Sequence, residues 1–146
     1  MEEETVIREA LPADAPALAR LNRTAMGYDY PEDQTADRLA AILQDSRCKV
    51  FVAECGGQVA GYLHLEDYQL LYGDPMKNIM GIAVDPNRRR QGLGRALLEA
   101  GEAWAREQGA AGVRLVSGES RQGAHAFYRA LGYAGNKMQL NLKKMF

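Results

Sequence analysis

The sequence predicts one α/β domain in which short strands alternate with amphipathic helices, and three observations carry that reading. Strand-like runs bounded by turn residues recur between segments of helical period. The β-branched run Ile82-Ala83-Val84 stops at Asp85-Pro86, where a basic turn and paired glycines open a helix with Leu93, Leu97, Ala100 and Trp104 on one face. The chain has 146 residues, 47% of them hydrophobic, enough to fill a single core.

Taken in order, Thr5 to Glu9 reads as a first strand. A helix follows from Pro12-Ala13-Asp14 to about Arg23, its start marked by an early proline and an acidic first turn, with Leu18 and Leu21 inward. Tyr28 to Thr35 is expected to be a polar, aromatic loop, and Ala36 to Gln44 a second helix. Cys48 to Cys55 and Gln58 to Glu66 flank the Gly56-Gly57 turn as a hairpin. Lys77 to Val84 is the strand that leads into the glycine turn, and the long helix after it ends near Gln108. A strand at Val113 to Ser117, a helix at Ser120 to Leu131 and a last strand at Lys137 to Lys143 complete the order. Neither repeats nor a linker interrupt it, so residues 1–146 read as one domain.

The glycine turn is where chemistry first becomes legible. Gly92, Gly94 and the unpaired N–H groups of a helix start lie beside Arg88, Arg89, Arg90 and Arg95. Such amides, with the helix dipole and nearby guanidinium groups, form an anion site of the kind phosphates occupy. Gly94 is followed by Arg95-Ala96 instead of Lys-Ser/Thr, which excludes a P-loop, and Leu97 stands where a dinucleotide fingerprint needs glycine or alanine. The remaining pattern, Arg89-x-x-Gly92-x-Gly94 between strand and helix, resembles the acetyl-CoA pyrophosphate loop of the GNAT acetyltransferase superfamily. A second segment, Ala124-x-x-Phe127-Tyr128-x-x-x-Gly132-Tyr133, is similar to another GNAT signature and lies one helix and one strand further on.

The resemblance implies a GNAT fold: a single mixed central sheet with two splayed strands, flanked by helices. It implies acetyl-CoA as co-substrate, with no metal. Backbone groups of Ile82, Ala83 and Val84 would meet the pantetheine arm, and the N–H of Val84 or a close neighbour would stabilise the oxyanion. The diphosphate would lie on Arg89, Arg90, Gln91, Gly92, Leu93, Gly94 and Arg95, with Arg121, Ala124 and Tyr128 completing the cofactor contacts. Tyr128 would be the general acid that protonates the departing thiolate, since a phenol of pKa ~10 stays protonated at neutral pH. Tyr128 also fits a buried Ala124-Phe127-Leu131 stripe on its helix. Arg121 stands where an asparagine is usual, so an arginine would have to reach a phosphate in its place.

Asn78 stands about where some members carry a glutamate base, and an amide accepts no proton at neutral pH. Glu66, Asp67, His64 and Glu119 are the alternatives, beside a water relay or an amine that arrives neutral. Each reads first as a solvated surface charge. The acceptor segment would include Tyr28 and Tyr30, joined by Glu66, Asp67, Tyr68 and Tyr72, whose carboxylates and rings suit a cationic small-molecule or peptide amine. The expected activity is direct acetyl transfer to that amine in a ternary complex, because no cysteine is placed as an acyl carrier. A non-catalytic acetyl-CoA-binding module is the alternative.

Charge adds to this. Residues 1–85 hold 7 basic and 15 acidic side chains, and residues 86–146 hold 11 and 4. A basic half suits CoA phosphates and an acidic half a cationic acceptor. One short basic cluster in a chain of pI about 6.1 argues against a nucleic-acid partner. No apolar run approaches the ~20 residues of a membrane span, and the acidic start lacks the features of a signal peptide. Cys48 and Cys55 read as reduced thiols on opposite strand faces, consistent with a cytoplasmic protein. A homodimer, common among similar proteins, stays open.

Overall fold

Five strands form one sheet in the order β1-β2-β3-β4-β5. The computed structural model describes residues 4–118 and 121–146. The strands are β1 (Thr5–Glu9), β2 (Cys48–Cys55), β3 (Gln58–Leu70), β4 (Gly73–Val84) and β5 (Val113–Arg114), and the helices α1 (Ala15–Met26), α2 (Glu32–Leu43), α3 (Leu93–Glu107) and α4 (Gln122–Ala130). Pairing is antiparallel throughout except between β4 and β5, which run parallel. Residues up to Leu115 make one compact unit, and those from Val116 onward a second.

Alternation along the strands sorts side chains onto two faces. On one, Val50, Val52 and Ala83 pack with Leu18 and Leu21 of α1 and Leu39 of α2. On the other, α3 lays Leu93, Leu97, Leu98, Trp104 and Ala105 toward the sheet. Gly101 permits that approach, because a Cβ there would lie 2.7 Å from Leu63 Cδ2 and 3.1 Å from Leu65 Cδ2. The loop from β1 is tied down by Arg8, which holds Asp14 through Nη1 at 2.8 Å and Nη2 at 3.0 Å and Glu54 through Nε at 2.8 Å. Those Arg8 hydrogen bonds keep the Asp14 carboxyl below its usual range.

Several boundaries differ from the sequence reading. α2 begins at Glu32, inside the expected loop: Glu32 and Asp33 place negative charge at its positive end, and Thr35 donates to the Pro31 carbonyl at 3.0 Å. Pro12–Asp14 forms a 3-10 turn before α1. β3 and β4 extend to Leu70 and back to Gly73, lengthening the expected strands toward their connecting turn. β5 holds only Val113 and Arg114, and residues 137–143 form no strand. Met138, Leu140 and Leu142 keep a period-two pattern but are exposed, since alternation makes a strand only where a neighbouring edge supplies hydrogen bonds.

Candidate active site

The anion loop is built by backbone conformation. The Asp85 side chain accepts from the Asn87 N–H at 2.9 Å, closing a 3-10 turn over Pro86–Arg88. The chain then passes through Arg90 at φ 66° and Gly92 at φ 79°, a left-handed pair that turns it abruptly into α3. Gly92 caps α3 without a side-chain acceptor, so the first-turn N–H groups face outward beside exposed Arg89, Arg90 and Gln91. Leu93 and Gly94 start the helix, Leu93 buried beneath it, while the Arg95 Nε donates to Glu99 at 2.9 Å. Unclaimed amides at a positive helix end, flanked by guanidinium groups, fit a diphosphate.

β4 leads into that loop with one edge open. Among the described residues, β5 pairs with β4 only at Lys77 and Asn78. The Asp85 N–H donates to Ala60 of β3 at 2.8 Å. Successive strand amides point to opposite edges, so the Val84 and Ile82 N–H groups point away from β3, toward the open edge, whereas that of Ala83 points to β3. Met80 has no partner opposite it, because the register steps from Ile79–Leu65 to Gly81–His64. Such a bulge re-aims the backbone beside the open edge.

The sheet face toward α1 and α2 carries a polar row on these same strands. Tyr62, His64, Glu66 and Tyr68 alternate along β3, with Asn78 opposite Glu66, and Arg114 of β5 opposite Asn78. The Arg114 Nη1 donates to Asn78 Oδ1, and its guanidinium lies 4.1 Å from the Tyr68 ring centroid. Tyr62 donates to Asn22 Oδ1 at 2.6 Å, and burial, with Tyr28 nearby, pushes its phenol up to about 12. Burial holds the His64 imidazole below 6.5, against the opposing pull of Glu66, and its buried Nε2 has no hydrogen-bond partner among the described residues. Cys48, opposite Glu66 on β2, has its thiol raised by burial. One donor atom each from Cys48, His64 and Glu66 lies within 4.8 Å of the others, a set able to hold a cation.

The expected acceptor residues are thus divided. Glu66 lies in the polar row, and Tyr28 and Tyr30 are exposed after α1. Asp67 is on the opposite face, ion-paired with Lys77, whose Nζ also sits 4.2 Å from the Trp104 ring centroid.

In the second unit, Arg121 caps α4 and accepts from the His125 N–H at 3.1 Å. His125 is partly buried, its Nε2 2.9 Å from the Gly118 carbonyl. Tyr128 packs edge-on against Phe127 and Tyr133 at centroid distances of 5.4 and 5.9 Å. Burial raises its phenol above 10, offset in part by the Arg121 charge, so it carries its proton at neutral pH. Ala124 is half-buried on the same helix, and Glu119 lies outside the described residues. Sequence reasoning missed Arg114 and Cys48 as site members. Their only signal is strand parity, which becomes readable once the register is known.

The chain matches the Acetyltransferase (GNAT) family over residues 15–133. It is 35% identical over 135 residues to an aminoglycoside N(6')-acetyltransferase type 1 of Stenotrophomonas maltophilia, covering 87% of this chain and 84% of that one. It is 31% identical over 133 residues to an uncharacterized N-acetyltransferase, YhfO, of Bacillus subtilis, covering 87% and 88%. In structure it superposes on an aminoglycoside N-acetyltransferase, AAC(6')-Iy, in complex with CoA, with a TM-score of 0.87 at 19% identity, over 99% of this chain and 97% of that one. With the family matched over most of its length and a sheet that opens beside an anion loop, the chain belongs to the GNAT acetyltransferases, enzymes that take acetyl-CoA as co-substrate.

Proposed function

We propose that this N-acetyltransferase moves the acetyl group directly to a primary amine, a cationic small molecule or peptide amine, in a ternary complex. The observation that supports it most is the open edge of β4, where the Ile82 and Val84 N–H groups emerge just before the uncapped start of α3. Bound acetyl-CoA supplies an activated acetyl thioester. Arg89 to Arg95 hold its diphosphate, and Ile82 to Val84 offer backbone partners to the pantetheine arm. The Val84 N–H is aimed at the acyl oxygen, where a preorganised donor is worth roughly 3–4 kcal/mol. Tyr128 protonates the departing sulfur, supported by a phenol that burial keeps protonated.

Glu66 draws the ammonium form of the acceptor to the polar row, and either Glu66 or the neutral His64 takes its proton. Asn78 cannot, since an amide is not basic at neutral pH, and its Oδ1 already accepts from Arg114. The aminoglycoside relative supplies one such amine chemistry, and polyamines and amino compounds supply others. The protein reads as a single acetyltransferase domain that works in the cytoplasm, with no nucleic-acid or membrane partner. The test is thiol release from acetyl-CoA across a panel of aminoglycosides, polyamines, amino acids and basic peptides. Turnover above the no-acceptor rate is expected for at least one amine. Y128F is expected to lower that turnover by about 10²-fold while acetyl-CoA still raises the melting temperature. Silence across the panel, with acetyl-CoA still bound, would overturn direct transfer in favour of a non-catalytic binder.

A further inference from the structure

We infer that Arg114 is a specificity residue, and that the acceptor is an amine which also carries a carboxylate. This rests on the transferase reading above and narrows its substrate class. The supporting feature is a charge row written across three adjacent strands: Glu66 on β3, Asn78 on β4 and Arg114 on β5 are direct neighbours in register and share one face. The row lies where β5 stops pairing with β4, so it borders the open edge at which the thioester would be presented.

Arg114 is held as a recognition group is held. Its guanidinium is stacked on Tyr68 and bonded through Nη1 to the Asn78 carbonyl oxygen, which fixes both the plane and the direction of the fork. Asn78 is held in turn, its Nδ2 donating to Met80 Sδ at 3.0 Å. Among the described residues no carboxylate pairs with Arg114, although Arg8, Arg47, Lys49, Lys77 and Arg95 all have acidic partners. The remaining N–H donors of a fixed, half-buried guanidinium suit a carboxylate, which accepts two parallel bonds in that plane. Reaching across β4 to stack on Tyr68 brings the cation to within two β3 residues of Glu66, about 7 Å along the strand. A cation and an anion so spaced complement an amine and a carboxylate in one small molecule. A purely cationic amine gains from Glu66 and is repelled by Arg114, so the row discriminates as well as attracts.

Two further cations reach this face: Arg38 of α2 acts on His64, and Arg47, ion-paired with Asp45 at 2.9 Å, also interacts with Glu66. Asp67, which would neutralise the row, is on the far face with Lys77.

The experiment measures acetylation of matched acceptors that differ only in the carboxylate: L-lysine against L-lysinamide, and 4-aminobutyrate against its amide. Rates are corrected for the neutral-amine fraction, and polyamines and aminoglycosides run in parallel. The wild-type enzyme is expected to favour the carboxylate member of at least one pair by about 10-fold or more in kcat/KM. In R114Q that ratio falls to about one, through a rise in KM for the carboxylate acceptor with little change in kcat. R114K keeps the charge without the planar fork and retains part of the ratio. Y68L, which removes the platform, lowers it as well and covers the case in which R114Q does not fold. Equal rates within both wild-type pairs, or an R114Q defect as large for the amides as for the acids, would overturn the inference. Turnover confined to polyamines or aminoglycosides would overturn it too and leave the transferase reading standing, whereas silence with every amine removes both.

Discussion

Two neighbouring rungs of one sheet, Asp67–Lys77 and Glu66–Asn78–Arg114, differ by a single residue in register and by everything in environment. The first faces α3. Lys77 is only 5% exposed, its charge matched by Asp67 and its ammonium set against Trp104, on the mainly apolar face covered by α3. The second lies on the opposite face and stays half-exposed, with a guanidinium held by Asn78 and Tyr68. Burying a charge is tolerable only when its partner is buried beside it, so the inner rung is an ion pair with no chemistry left over. The outer rung retains donors and acceptors that a small molecule can use. In these strands, composition does not separate a buried, paired charge from one left available on the polar face. Parity does.

That contrast can be broken from either side. The largest effect is expected on the α3 face from G101V, whose side chain would press into Leu63 and Leu65 and cost roughly 2–3 kcal/mol, read by chemical denaturation. K77A should come next. It leaves Asp67 without its partner, but Asp67 is a quarter exposed, so the loss is about 1–2 kcal/mol, with acetyl-CoA affinity unchanged. On the polar face the pattern should invert. E66Q is expected to shift stability by no more than about 0.5 kcal/mol and to raise the KM of the best amine about 10-fold. A large stability loss in E66Q with normal kinetics would place Glu66 among the structural charges and erase the distinction.

The smallest effects concern pH. His64 has a folded value below 6.5, so the unfolded chain binds its proton first; stability is whole above pH 6.5 and declines as pH falls below it. H64Q should flatten melting temperature over that window. Asp14 is also depressed, so its contribution is present above pH 3.8 and lost only as pH falls further. R8Q should remove that acid-range slope and leave the one near 6.5 intact.

Much of the architecture was legible because it is written locally. Strand β1, the hairpin of β2 and β3, and α3 with its glycine start each declare themselves within ten or fifteen residues. Glu32 and Asp33 were legible in principle as a helix start, but Tyr28 to Pro31 beside them favoured a loop. The segment 137–143 failed for the opposite reason: its alternation is real, and a strand nonetheless needs an edge to pair with. Among the proposed site residues, Gly92 and Val84 are marked by local pattern, since the roles proposed for them lie in the backbone. Arg114 carries no local mark, and Asp67 looks equivalent to Glu66 until the sheet separates them.

By itself, then, the sequence determined the class of fold, the anion loop before α3 and the family to which the chain belongs, because turns, caps and periodicity depend on neighbours a few residues away. The tertiary structure alone decided which charges are buried as pairs and which line up on the polar face. Cys48, Glu66, Asn78 and Arg114 come from four strands spread over more than sixty residues, and only register brings them into one row. Register is a long-range property, fixed by which hydrophobic faces α1, α2 and α3 cover, and a one-residue slip would carry every one of these side chains to the other side.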